Sequence, residues 1–265
     1  MTLQDILSIR LCPDGFSFST YNVLEEDSFH THRVDIAPGA DFCARLQEQV
    51  YAREELLRDY QECHCTVVTR RQTAVPAAVS EAEAEAMFRL VCPPVEAPEV
   101  LLHERHEATG VHWVYALDEE LHSFLTRTFQ GLQFHLPTAT LHAYFVDKCK
   151  VGNQAKMVAQ IYPGDQQLLI YRKGRLQLAN SYAEHEPSNI LYYLLNTWTQ
   201  GGLDNTLDHL LLIGDKQLLK ELTPQLQPIV RETMPAVFPA GFFRLGQETL
   251  EAPWDTLLLS SCQAE

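Results

Sequence analysis

Period-two alternation is clearest at Phe16-Ser17-Phe18-Ser19-Thr20-Tyr21, and it predicts a strand with one buried face. The apolar stretch Ile6–Leu11 precedes it across Pro13-Asp14-Gly15. Proline presets φ and glycine accepts positive φ, so the two runs read as a hairpin. A third strand is expected at His30–Ile36. The period then lengthens: Phe42, Leu46, Val50, Leu57 and Tyr60 share one helical face, predicting a helix over Asp41–Tyr60. A strand at Cys65–Val68 follows. Ser80 with Glu83 forms a capping-box pattern that opens a helix to Leu90. Val100–His106 and Val111–Leu117 read as a hairpin. Asp118 is an N-cap for a helix over Glu119–Phe129, Leu132–Leu136 is a short strand, and a helix runs from Pro137 to about Lys150.

The pattern then restarts. Strands are expected at Met157–Tyr162, Leu168–Tyr171 and Leu176–Ser181, with turns at Pro163-Gly164-Asp165 and Lys173-Gly174. Pro187 suits the first turn of a helix that reaches Thr199 and is stopped by Gly201-Gly202. His209–Ile213 is a buried-type strand, and Gly214-Asp215 leads into a helix over Lys216–Leu222. A weakly patterned, proline-rich stretch follows. Phe242-Phe243 is expected as a last strand, and Pro253 opens a closing helix to Leu259. Each half thus runs strand, tight turn, strand, strand, helix, strand, helix, with Pro13 and Pro163 lying 150 positions apart. The repeat is one of element order, since few residues are identical. It divides the chain into lobes at 1–150 and 151–265.

Composition narrows the partners. The 265 residues carry 20 Lys+Arg against 35 Asp+Glu, a formal charge of −15. A phosphate backbone wants a basic face, and the densest basic spots, Arg70-Arg71 and Arg172-Lys173, are too short to make one. Nucleic acid is therefore not expected as a partner. No apolar run approaches the roughly 18 residues of a membrane span, so direct insertion is not expected either. Met1–Asp5 has neither a basic region nor an apolar core of a signal peptide. Seven irregularly spaced cysteines in a chain of this length read as reduced thiols of a cytoplasmic protein.

Eleven histidines require a test for metal sites. Cys63-His64-Cys65 lacks the two-residue gap of a zinc knuckle. His103-Glu104-Arg105-His106 spaces its histidines three apart, on an expected strand, and so is not the helical HExxH arrangement. His30 and His32 share a strand face but need a third ligand. No metal or other cofactor is expected. No P-loop, GxSxG or dinucleotide fingerprint is present, and Ser260-Ser261-Cys262 has no identifiable base.

A duplicated three-strand meander with helices is the ribonuclease H-like lobe of the actin superfold. Val114–Leu121, the helix after it and Gly131-Leu132 look like the end of the first lobe in actin-like type IV pilus assembly proteins. Gln167–Ser181 looks like the opening of their second lobe. More closely, Leu7–Asn22, Leu168–Ser181, Ile190–Gln200 and Trp254–Cys262 resemble a bacterial family of unknown function within the actin-like ATPase superfold. The resemblance implies an α/β, duplicated, two-lobed fold with mixed sheets flanked by helices.

It also implies where a nucleotide would be held. Each lobe of an actin-like ATPase carries apolar-apolar-Asp-x-Gly at a strand end. The Asp organises Mg²⁺, and the glycine lets backbone N–H groups approach phosphate. Here Arg10 stands in the first Asp position and Cys12 in the glycine position; Gln160 and Tyr162 replace the second pair. The adenosine loop keeps one glycine, Gly214, in Leu212-Ile213-Gly214-Asp215, and Asp215 has a simpler role as a helix N-cap. All three elements are degraded, so a non-catalytic adaptor or scaffold is expected, binding another protein through the interlobe cleft or an exposed helix. A homodimer remains open. The alternative is a nucleotide-binding regulator that uses the displaced Asp14-Gly15 and Gly164-Asp165. On the helix from Pro187, Tyr192 lies opposite the apolar face and Tyr193 at its border, which makes both candidate interface residues.

Overall fold

The computed structural model describes residues 5–259. Met1–Gln4 and Ser260-Ser261-Cys262 lie outside the described residues. In chain order the first half comprises β1 (Asp5–Cys12), β2 (Gly15–Asn22), β3 (His30–Asp35), α1 (Phe42–Tyr51), β4 (Glu62–Val67), β5 (Gln72–Pro76) and α2 (Glu81–Val91). It continues with β6 (Glu99–His106), β7 (Val111–Asp118), α3 (Glu119–Thr128) and β8 (Gln133–His135). Then come α4 (Pro137–Lys148), β9 (Lys156–Tyr162), β10 (Asp165–Arg172), β11 (Arg175–Tyr182), α5 (Pro187–Gln200), β12 (His209–Gly214), α6 (Lys216–Leu226), β13 (Glu232–Pro235) and α7 (Trp254–Leu258).

The repeat is visible in the sheets. One has the order β3-β2-β1-β4-β8 and the other β11-β10-β9-β12-β13. In both, an antiparallel three-strand meander is extended by two parallel strands. The hairpins turn in two residues, with Cys12 opposite Gly15 and Tyr162 opposite Asp165. A glycine is required at 15 because a Cβ there would lie 2.3 Å from Val34 O.

Contacts divide the chain into two compact units: residues up to Leu136 with Gly241–Ala252, and Pro137–Ala240 with Pro253 onward. The division expected at 150 differs from this in two places. Helix α4 packs on β10, β11 and α7, so it sits with the second unit. The stretch 241–252 returns to the first unit, where Arg244 O and Leu245 O accept from Asp27 N and Phe29 N at 2.9 Å each.

In the first unit, β6 and β7 do not join the main sheet. They form a separate three-stranded sheet, β5-β7-β6. Helix α2 closes its face with Ala84 and Phe88 against Val75, Val114 and Ala116. The expected capping box is present: Glu83 N donates to Ser80 Oγ, and Ser80 N to Glu83 Oε2. In the second unit, Met157, Ala159, Ile161, Leu168 and Ile170 pack on α5 and α6 through Ile190, Leu194, Trp198, Leu222 and Leu226. Alternation sends Gln160, Gln167 and Tyr171 to the opposite face, where Gln160 meets α7 and the other two meet α4.

Three expectations need correction. The helix expected to reach Tyr60 stops at Tyr51, because Arg53 is extended and its guanidinium donates to Gln49 O at 3.0 Å; a short 3-10 turn follows at Glu54–Leu57. Phe242-Phe243 lies in a 3-10 turn, Ala240–Leu245, with Phe242 buried and Phe243 exposed. Strands β5 and β13 were not expected. Each is short, ends in proline and lies at a sheet edge, where a missing N–H is tolerated.

Candidate functional site

The ends of β1 and β9 carry the residues singled out in the sequence. Arg10 is buried, and its Nη1 donates to Cys12 Sγ at 2.8 Å. The later Asp14 is engaged by the neighbouring strand: Arg33 Nη2 donates to Asp14 Oδ2 at 2.9 Å, while Arg33 Nε donates to Asp35 at 2.7 Å. The Asp14 carboxylate is thus already paired with a cation.

In the second unit Gln160 is fully buried, and its Nε2 donates to Asp255 Oδ1 at 2.9 Å. Tyr162 O accepts from Gln166 Nε2 at 2.7 Å. The turn is braced from the chain beyond β11: Gly164 N donates to Glu184 O at 3.0 Å, and Gln166 exchanges bonds with Glu184 through both amide atoms. The one backbone donor that glycine offers at this turn is therefore taken. Asp165 is buried and accepts from Gln167 Nε2, whose Oε1 accepts in turn from Thr138 Oγ1 at 2.6 Å.

Gly214 has a packing explanation. Asp215 N donates to Ile161 O at 2.9 Å, and a Cβ on Gly214 would sit 1.9 Å from that same oxygen. Asp215 caps α6, accepting from Leu218 N at 2.8 Å. The two candidate tyrosines differ. Tyr192 is 62% exposed, whereas Tyr193 stacks on Tyr182 at 4.5 Å and meets Tyr192 edge-on at 5.3 Å.

Other constellations emerge only from the folded chain. Glu62 and His64 share a face of β4, and His135 lies diagonally across on β8. His64 Nε2 is 3.1 Å from Glu62 Oε2, and His64 Nδ1 is 3.1 Å from His135 Nε2. If Glu62 accepts from Nε2–H, neutral His64 offers its Nδ1 lone pair and His135 Nε2 carries the proton. Burial lowers the pKa of both imidazoles, His135 to about 4. A second pair, His103 and His112, stands 3.0 Å apart on β6 and β7. Period-two spacing places Glu62 with His64, but the pairing of β4 with β8 could not be read from the sequence. Among the described residues no set of three or more His, Cys, Asp or Glu is arranged to hold a metal ion. The six described cysteines are buried and outside disulfides; burial pushes the Cys149 thiol to about 11 and Cys65 well above its usual range. Such thiols are inert. No described helix is long and apolar enough to cross a membrane.

The first unit also has a concavity of about 670 Å³ over the N-terminus of α3, lined by Pro98, Asp118, Glu119, Glu120, His122 and Arg127. Asp118 Oδ1 accepts from Glu120 N and Leu121 N at 2.9 and 3.0 Å, capping the helix as expected.

The family described as a protein of unknown function, DUF3822, matches residues 2–232. The chain belongs to that family. A crystal structure from Bacteroides thetaiotaomicron, of a protein with actin-like ATPase fold and unknown function, matches with a TM-score of 0.82 at 23% identity, covering 100% of this chain and 97% of that one. PilM, in the PilM–PilN type IV pilus biogenesis complex, matches with a TM-score of 0.61 at 12% identity, covering 97% of each chain. No curated protein matches. The DUF3822 chain therefore has the actin-like ATPase fold, and the distant likeness to pilus assembly proteins is real at the level of fold.

Proposed function

We propose that this DUF3822 chain is a non-catalytic, cytoplasmic member of the actin-like fold that acts as a protein–protein adaptor or scaffold. One observation carries the reading: groups at the phosphate-loop positions are committed to partners within their own unit. Arg10 bonds Cys12, Gln160 bonds Asp255, and Gly164 N–H bonds Glu184 O. Gly214 is accounted for by its approach to Ile161 O. A phosphate would have to displace these bonds, and Gln160 offers no carboxylate for Mg²⁺. The adaptor part draws support from PilM, a protein of the same fold found in complex with PilN.

The test is a Mg²⁺-ATP hydrolysis assay on the full chain, with calorimetry against ATP, ADP and GTP. No turnover and no binding heat are expected. Turnover that disappears in Asp14→Asn would overturn the reading. Binding heat without turnover would favour the nucleotide-regulated alternative.

A further inference from the structure

Helix α2 leaves an apolar C-terminal end uncovered. Ala84 and Phe88 face its own sheet, yet Leu90 is 84% and Val91 62% exposed, and Met87 and Val95 are exposed with them. Leucine and methionine at open positions are explained by helix propensity. β-Branched Val91 is not, and Val95 is exposed on the loop that follows. Met87, Leu90 and Val91 stand at i, i+3 and i+4 and so are neighbours on the helix, and exposed apolar side chains that cluster mark an interaction surface.

The surface is also pre-set. Arg71 grips the loop after α2: its Nη1 donates to Pro93 O at 2.8 Å, while Nε and Nη2 hold both oxygens of Glu99 at 2.5 and 2.7 Å. At the other end of that loop, Glu119 N donates to Pro98 O at 3.0 Å. Pro93, Pro94 and Pro98 fix φ between these anchors. A surface already held in place loses little entropy on binding.

Charge selects the occupant. Exposed Glu81 and Glu83 lie on the helix and Glu96 on the loop, against Arg89 alone as a cation on the helix. Pro98 leads into the concavity, where Asp118, Glu119 and Glu120 outnumber Arg127. A second copy would set these carboxylates against their own images. An anionic lipid surface would be repelled, as would nucleic acid. We infer that the exposed C-terminal end of α2 and the 93–98 loop dock a short basic, amphipathic segment of another protein, its apolar side chains on Leu90 and Val91 and its Lys or Arg side chains toward Glu83 and Glu96. This goes beyond the adaptor reading and does not fall with it, since a nucleotide-hydrolysing chain could carry the same surface.

The experiment is a selection of random peptides of about 15 residues, long enough to cover a helix of this size, displayed on phage against the full chain. It is followed by fluorescence polarisation of the enriched peptides. Enriched sequences should combine apolar residues with Lys or Arg. Their affinity should fall roughly tenfold or more in the double variant Leu90→Ser with Val91→Ser, and should weaken between roughly 0.05 and 0.5 M salt. Both substituted side chains are exposed, so the melting temperature should not move, and a melt confirms that the variant is folded. The inference is overturned by no enrichment over blank, by an acidic or uncharged consensus, or by peptides that bind the double variant unchanged. It is equally overturned if Tyr192→Ser is the change that abolishes binding. Sedimentation showing a dimer that the double variant loses, or binding to phosphatidylglycerol vesicles that it loses, would assign the surface to a different occupant and also overturn it.

Discussion

His135 makes the stability of the first unit depend on pH in a way that can be calculated. Burial is the main cause of its low pKa; the charge of Glu104 opposes it, and His64 and His106 reinforce it, moving the imidazole from 6.5 to about 4. Because the folded pKa lies below the unfolded one, the stabilising contribution is fully present above about pH 6.5 and is lost as pH falls toward about 4. At about pH 5 the unfolded imidazole is ~97% protonated and the folded one ~10%, which integrates to a loss of about 2 kcal/mol relative to pH ~7.5. The imidazole is partly open to solvent, which makes this an upper figure. His135→Gln removes the titration and keeps a donor for His64 Nδ1. Trp113 lies in the first unit while Trp198 and Trp254 lie in the second. Urea denaturation followed by Trp113 fluorescence, in a background with the other two tryptophans changed to Phe, therefore reports the first unit alone. The parent should lose about 2 kcal/mol more than the His135→Gln variant between those two pH values. Carboxylates contribute little over this range because their unfolded pKa values lie near 4. Equal pH slopes in parent and variant would refute the reasoning, and so would a parent that gains stability on acidification.

Gly214→Ala should lower stability by about 3 kcal/mol or more, because its Cβ would fall 1.9 Å from Ile161 O at φ 140°; Gly241→Ala, with open space around it, should shift the thermal midpoint negligibly. Ser80→Ala breaks the capping box of α2 and should cost about 1 kcal/mol, read as faster amide exchange across Glu81–Phe88. Arg71→Lys loses the two-pronged grip on Glu99 and the bond to Pro93 O, and should cost about 1–2 kcal/mol, with exchange rising in the 93–98 loop. Gln160→Glu sets a second buried carboxylate against Asp255. One of the pair must then take up a proton, so this variant should be destabilised at neutral pH and partly rescued near pH 5, as thermal melts at the two pH values will show.

The order of elements was legible because local chemistry and tertiary structure agree there. Pro13-Asp14 and Pro163-Gly164 turn hairpins, Asp118 and Asp215 cap helices, and Pro187 opens one. What could not be read was pairing between segments distant in sequence. The hairpin β6–β7 has the alternation of any half-buried strand pair, and nothing local says that β7 meets β5 rather than the main sheet. Helix α4 follows β8 directly, yet buries Thr138, Leu141 and His142 in the second unit. A boundary drawn where the pattern restarts therefore falls after α4 instead of before it.

The same limit explains the candidate site. Aligning strand ends singled out Arg10, Cys12, Gln160 and Tyr162, and the fold places the first two on β1 and the last two on β9. What Gln160 and the turn at Gly164 bond to, by contrast, depends on partners supplied from far along the chain. Glu184 lies 20 residues beyond Gly164, and Asp255 lies 95 beyond Gln160. A glutamine in place of an aspartate is ambiguous in a sequence, because it could leave an open site with a weaker ligand. In the fold its amide is a buried donor to a carboxylate on α7. To present Gln160 to a ligand, that bond would have to break and leave Asp255 without this donor while both remain buried, a penalty of about 1–3 kcal/mol before any ligand contact is made. Gln160 and Asp255 are therefore coupled as a buried pair in the interior of the second unit, and a change at either is felt by the other.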